Sequence, residues 1–244
     1  MTENRLQKYL ERETLGVEGS KIWKPVIFSD SKASYLERFK CNECIGNDIL
    51  WNIYRGGNSS YITRRVKDTI NNLEASYGKV HVYLWTGTCD FTKKNNRLID
   101  LQDNTEQALR TLSDNLLQLE EFFHERSSAK LTILHTPYYS IRKWNTHNDD
   151  DATVTEVTEE SLEKDQELKR LVDVSNGVID QINQRLGTRS PKLNLDIERP
   201  YKKKNHLARA NINWGLFKDG VHPDNLLAKA WLRSICKQII SECY

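Results

Sequence analysis

Residues 80–85 read Val-His-Val-Tyr-Leu-Trp, a short run of β-branched and aromatic residues that stops at Thr86-Gly87-Thr88-Cys89-Asp90. It is the clearest strand in the chain, and its pattern recurs. Residues 25–28, Pro-Val-Ile-Phe, are apolar throughout and break at Ser29-Asp30-Ser31. A continuous apolar run of that kind fits a strand buried on both faces of a sheet. Residues 49–54, 130–135 and 192–197 read as three further strands, the first closed by Gly56-Gly57 and the second by Pro137. Helical periodicity fills the intervals. Residues 32–40, 61–73, 162–186 and 225–242 are expected to be helices. Another follows the polar loop 93–103 and buries Leu109, Leu112, Leu116, Leu119 and Phe123. Ile62, Val66, Ile70 and Leu73 share one face of the 61–73 helix. Leu227, Trp231, Ile235 and Ile239 do the same in the last one.

Strands alternating with helices imply an α/β fold: a five-stranded parallel sheet covered on both faces. Chemistry in such folds sits at the carboxyl ends of the strands. Ser31, Gly57 and Cys89 each fall just past a strand end, so they share one rim whatever the strand order.

The 244 residues suffice for one sizeable domain, expected over 23–244, with a polar N-terminal extension at 1–22. Leu6, Tyr9 and Leu10 fit one short amphipathic turn or helix within that extension. Residues 145–160, centred on Asp149-Asp150-Asp151, read as an exposed acidic loop or lid. A hydrophobic content of 38% and a charged content of 29% describe a soluble globular chain. A net charge of +2 is too small to argue for nucleic acid. No run approaches the ~18 apolar residues of a membrane span, and residues 1–21 hold no apolar signal region. Five cysteines, an odd number, do not form a disulfide framework. An intracellular, cytoplasmic setting is therefore expected.

Asp219-Gly220-Val221-His222-Pro223 places an acid and an imidazole three residues apart, with Gly220 allowing a sharp bend between them. An Asp so placed can hold one ring nitrogen and leave the other free as a base. Ser31 is the nucleophile best placed to meet it. Taken singly, these residues are also ordinary helix caps and a surface histidine.

Together they carry more. A Ser after strand one, a Gly after strand two, Gly-x-x-Asp after strand three and Asp-x-x-His before the last helix resemble the SGNH hydrolases. These are also called the GDSL esterase/lipase superfamily. The resemblance spans most of residues 25–240 and implies a flavodoxin-like three-layer α/β/α sandwich. It also implies a Ser31–His222–Asp219 triad acting through an acyl-enzyme on a small ester or acylated substrate, with no cofactor and no metal. The second-block glycine matches Gly56 or Gly57, with Gly57 preferred because Asn58 follows. The oxyanion hole would then use Ser31, Gly57 and the residue at Cys89. The chain departs from the family here, because Cys89 stands where Asn is expected. A thiol is a weak donor, and loss of one oxyanion donor costs ~100- to 1000-fold in rate. Asn58 is a candidate substitute.

Other features admit bland and sharp readings. Cys41-x-x-Cys44 fits two ordinary thiols better than half a metal or redox site. Cys89 could itself be a nucleophile for His222. Arg64-Arg65, Lys93-Lys94 and Lys202-Lys203-Lys204 are basic clusters. Tyr138, Tyr139, Trp144 and Trp214 could stack bases, line an acyl pocket or be core. His135 fits a structural role, and His206 carries no signal. Two functions therefore stand. One is a serine esterase. The other is a weak or inactive SGNH-like module that binds RNA or a protein partner, as in a retroelement-type protein.

Overall fold

A computed structural model describes residues 1–12, 15–148, 158–199 and 211–244. Four parallel strands form the central sheet: β1 (Lys24–Ser29), β2 (Leu50–Ile53), β3 (Val80–Trp85) and β6 (Ala129–Ile133), in the order β2-β1-β3-β6. Every residue of β3 is buried, and five of the six in β1 are. Those two strands occupy the centre of the sheet, as their unbroken apolar runs require. Most of the expected loop 93–103 instead belongs to an antiparallel hairpin of β4 (Thr92–Asn95) and β5 (Leu98–Leu101), with Asn96 at φ +53 in its turn.

Helices cover both faces. On one side lie α3 (Ser59–Tyr77), α4 (Thr105–His124) and α6 (Glu159–Leu186); on the other lie α1 (Glu3–Leu10), α2 (Ala33–Glu37) and α8 (Asn225–Cys243). Each long helix starts on a polar cap: Asn58, Asn104, Thr158 and Asp224 accept backbone N–H bonds from the first turns of α3, α4, α6 and α8. In α8, Leu227, Trp231, Ile235 and Ile239 are fully buried, as their spacing predicts. Leu6 of α1 is also fully buried, and α1 packs on α8. The remaining short elements are α5 (Ile141–Asn148), α7 (Asn194–Ile197), β7 (Glu198–Arg199) and β8 (Asn211–Ile212).

The expected fifth strand at 192–197 is not a strand. Leu193 and Ile197, four residues apart, are buried while Leu195 is exposed, which is one turn of helix and not alternation. The free edge of β6 is instead satisfied by side chains. Asn183 both donates to Ile133 O (2.7 Å) and accepts from Ile133 N (2.9 Å). Asn176 pairs in the same way with Thr136, at 2.9 Å in both directions. Ser190 accepts from His135 N at 2.7 Å. Amide side chains from α6 thus take the ladder positions a fifth strand would fill, which closes a sheet edge that would otherwise invite pairing.

Candidate active site

Ser31 lies in the turn between β1 and α2, and its Oγ is 2.9 Å from His222 Nε2. His222 Nδ1 is 2.8 Å from Asp219 Oδ2. The other carboxylate oxygen, Oδ1, accepts the backbone N–H groups of Val221 (2.9 Å) and His222 (2.7 Å). Asp219 can only accept, so His222 carries its proton on Nδ1 and leaves Nε2 free for the Ser31 hydroxyl. The Asp219 carboxyl sits below its ordinary pKa: burial pushes it up, but the hydrogen bonds and charge of His222 outweigh that.

The imidazole is held between rings. Tyr35 stacks on it with centroids 4.7 Å apart, and Trp144 approaches at 5.7 Å. Trp144 is itself fixed by its indole N–H, which donates to Arg97 O at 2.9 Å. The loop carrying His222 is pressed against α5. Gly220 has φ +86, and a Cβ there would lie 2.4 Å from Lys143 Cβ. Only glycine allows both that conformation and that approach. Ser140 N–H donates to Gly220 O at 2.9 Å, and Lys218 N–H donates to His222 O at 2.9 Å.

Ser31 and His222 open into a cavity of about 550 Å³, with Val221, Ile99, Tyr139 and Trp144 among its apolar lining. Its glycine is Gly56, not the expected Gly57. Gly57 N–H donates to Tyr54 O at 2.9 Å, closing a β-turn in which Gly56 takes φ +74. Asn58, the other candidate, does not line the cavity; its Oδ1 accepts Tyr61 N at 3.0 Å as the cap of α3. Among the described residues, the N–H groups of Ser31 and Gly56 have no acceptor. Cys89 does line the cavity. Burial, with Asp30 adding to it, pushes its thiol up to about 12. Cys89 therefore keeps its proton near neutral pH, as a weak donor and not a thiolate.

One neighbour of Ser31 carries no sequence signal beyond an Asp two residues before it. Lys32, directly after Ser31, turns inward and is 1% exposed. Its ammonium pairs with Asp30 Oδ2 and donates to Thr88 Oγ1, and its own N–H donates to Asp30 Oδ1 at 3.0 Å. A buried ion pair thus brackets Ser31 and ties its turn to the segment holding Cys89. Asp90 makes a second tie, accepting Ser59 N at 3.0 and 3.1 Å at the start of α3.

The remaining candidates disperse. His135 is buried, with Nε2 2.8 Å from Asp180; burial foremost holds its pKa down. Tyr139 lines the cavity and donates to Thr88 O at 2.7 Å, whereas Tyr138 donates to Asp173 and Trp214 packs on Phe217. Arg64 and Arg65 lie over the rings of Tyr61 and Tyr54. Cys41 and Cys44 are exposed and free; Cys236 and Cys243 are buried and free. Asp149–Asp151, the Lys202–Lys204 cluster and His206 lie outside the described residues. Among the described residues, no helix is long and apolar enough to cross a membrane, and no group of three or more His, Cys, Asp or Glu could hold a metal ion.

No protein-family model matches the chain, and no curated protein matches it in sequence. Solved structures do. An assigned acylhydrolase from Bacteroides fragilis aligns over 98% of this chain and 95% of its own, with a TM-score of 0.58 and 15% identity. A GDSL-like lipase from Bacteroides thetaiotaomicron aligns over 99% and 98%, with a TM-score of 0.53 and 14% identity. A catalytic mutant of an acetylxylan esterase from Geobacillus stearothermophilus aligns over 91% and 96%, with a TM-score of 0.53 and 11% identity. Four parallel strands in the order β2-β1-β3-β6, helices on both faces and these alignments along nearly the whole chain give one conclusion: the chain shares the three-layer α/β/α fold of these solved acylhydrolase, lipase and esterase structures.

Proposed function

We propose that the protein is a serine acyl hydrolase that cleaves small esters through Ser31, His222 and Asp219. The observation that carries this reading is the unbroken chain of contacts from Ser31 Oγ to His222 Nε2 (2.9 Å) and from His222 Nδ1 to Asp219 (2.8 Å). In the proposed reaction, Ser31 Oγ attacks the ester carbonyl while His222 Nε2 takes its proton. Asp219 steadies the imidazolium that results. The carbonyl oxygen, now an oxyanion, is met by the N–H groups of Ser31 and Gly56, with the Cys89 thiol as a weak third donor. Collapse of this intermediate expels the alcohol, which takes the proton from His222, and leaves an acyl group on Ser31. Water, deprotonated by His222, releases the acid. Each step is served by side chains and backbone N–H groups, so the chemistry calls for no metal or organic cofactor.

The test is hydrolysis of p-nitrophenyl acetate and butyrate by the wild type, Ser31→Ala and His222→Gln. Each substitution is expected to lower kcat by ~1000-fold or more. Equal rates in wild type and Ser31→Ala would refute the reading.

A further inference from the structure

The cavity in front of Ser31 carries three cationic side chains, Arg38, Arg55 and Lys94, and no Asp or Glu among its described lining residues. The three come from separate elements: Arg38 follows α2, Arg55 follows β2, and Lys94 belongs to the hairpin. Among the described residues, none has an ion-pair partner. The neighbouring lysine shows that this is selective. Strand alternation sends Thr92 and Lys94 to the cavity side, together with Ile99, the cross-strand partner of Lys94. Lys93 points the other way and pairs with Asp103. The wall that presents Lys94 is fixed in place. The Asn145 side chain of α5 brackets Ile99, accepting its N–H and donating to its carbonyl, both at 2.9 Å. Arg38 is likewise positioned, with its guanidinium 4.7 Å from the Tyr35 ring that stacks on His222.

Three exposed cations without an ion-pair partner among the described residues line this cavity, an arrangement that disfavours a cationic ester. They suit one that carries its own negative charge. We infer that the preferred substrates are esters with an anionic group, a carboxylate or a phosphate, beside the scissile bond. Arg38, Arg55 and Lys94 bind that group while the ester carbonyl lies against Ser31. Arg offers a planar fork to such an oxyanion and Lys a point charge, so the set accepts either group. This inference rests on the acyl-hydrolase reading of the same site.

The experiment compares anionic esters with neutral partners of the same shape. 4-Nitrophenyl hemisuccinate is set against its methyl ester, with the charge on the acyl side. 4-Acetoxybenzoate is set against methyl 4-acetoxybenzoate, with the charge on the alcohol side, and 4-acetoxyphenyl phosphate supplies the phosphate arm. After correction for uncatalysed rates, kcat/KM is expected to favour the charged member of at least one pair by roughly tenfold or more. The preference should shrink towards one in the Arg38→Gln/Arg55→Gln/Lys94→Gln variant, and also in about 0.5 M NaCl. Ser31-dependent hydrolysis without any charge preference would overturn the anion inference and leave the acyl-hydrolase reading intact. A preference that survives the triple substitution would also overturn it. Absence of Ser31-dependent hydrolysis would defeat the underlying reading. In that case, calorimetric binding of 4-acetoxybenzoate and its methyl ester to Ser31→Ala decides the anion site, and equal affinity overturns it.

Discussion

Lys32→Met is the most informative perturbation of the scaffold around Ser31. Lys32 and Asp30 are each 1% exposed, and their charges meet beneath the turn that carries Ser31. Methionine keeps most of the aliphatic stem and removes the ammonium. Asp30 Oδ2 then loses its ion partner and Thr88 Oγ1 loses its donor, while Asp30 Oδ1 keeps the Lys32 N–H. Breaking a buried pair by removing one partner costs ~3–5 kcal/mol, because the remaining charge is left uncompensated. That is a large share of the ~5–15 kcal/mol that holds a typical domain folded. Asp30→Asn should cost a similar amount, by stranding the ammonium. The double variant Asp30→Asn/Lys32→Met strands neither charge, so it should recover most of the loss, with a coupling energy of at least ~2 kcal/mol. Urea unfolding of the four proteins measures this. With m near ~3 kcal/mol/M, each single variant shifts the midpoint down by ~1–1.7 M. Single losses below ~1 kcal/mol, or a double loss equal to their sum, would refute the view that a dry ion pair braces the turn.

Three further outcomes follow from individual side chains. Cys89→Asn replaces a weak thiol donor with an amide at the cavity wall, so kcat for p-nitrophenyl butyrate should rise by ~10-fold or more; an unchanged or lower rate in a folded variant counts against Cys89 as an oxyanion contact. Burial, with Lys130 adding to it, brings His81 down to about 3 from an ordinary 6.5. The folded chain therefore keeps it neutral while the unfolded chain binds a proton, and this part of the stability is full above about pH 6.5 and lost as pH falls towards about 3. Between about pH 6.5 and 4.5 the His81 share is roughly 2 kcal/mol, so urea unfolding of His81→Gln should show a flatter acid slope by that amount; parallel slopes would contradict it. Asn58→Ala should cost ~1 kcal/mol of stability through loss of the α3 cap, with the rate per folded molecule held; a large drop in kcat would return Asn58 to the oxyanion hole.

Much of this arrangement was legible in the sequence. β1 and β3 announce themselves as unbroken apolar runs, and that places Ser31 and Cys89 at one end of the sheet. The Asp219–His222 spacing also told its own story, because three residues with a glycine between them allow a local bond whatever surrounds it. The errors arise where one pattern fits two structures. Leu193, Leu195 and Ile197 alternate like a strand, yet Leu193 and Ile197 also share a helical face, and the asparagines of α6 had already closed the sheet edge. Gly56 and Gly57 are adjacent in sequence, and only the turn shows that the N–H of Gly57 is taken by Tyr54 O while that of Gly56 has no acceptor among the described residues. The hairpin leaves no strand signal because Thr92-Lys93-Lys94-Asn95-Asn96 is polar on both faces; one face meets the cavity and the other meets solvent and Asp103. Lys32 was invisible for a different reason. A lysine buries itself only when a partner awaits it, and Thr88 reaches it from another strand end.

In the proposed reaction Ser31, activated by His222, is the group that attacks. A fluorophosphonate ester tests it directly, since attack by an activated serine expels fluoride and leaves a stable phosphonyl adduct that peptide mass spectrometry can locate. The expected result is an adduct on Ser31 that disappears in Ser31→Ala and is strongly reduced in His222→Gln. An adduct on Cys89, or ester hydrolysis that continues while Ser31 stays unlabelled, would contradict it.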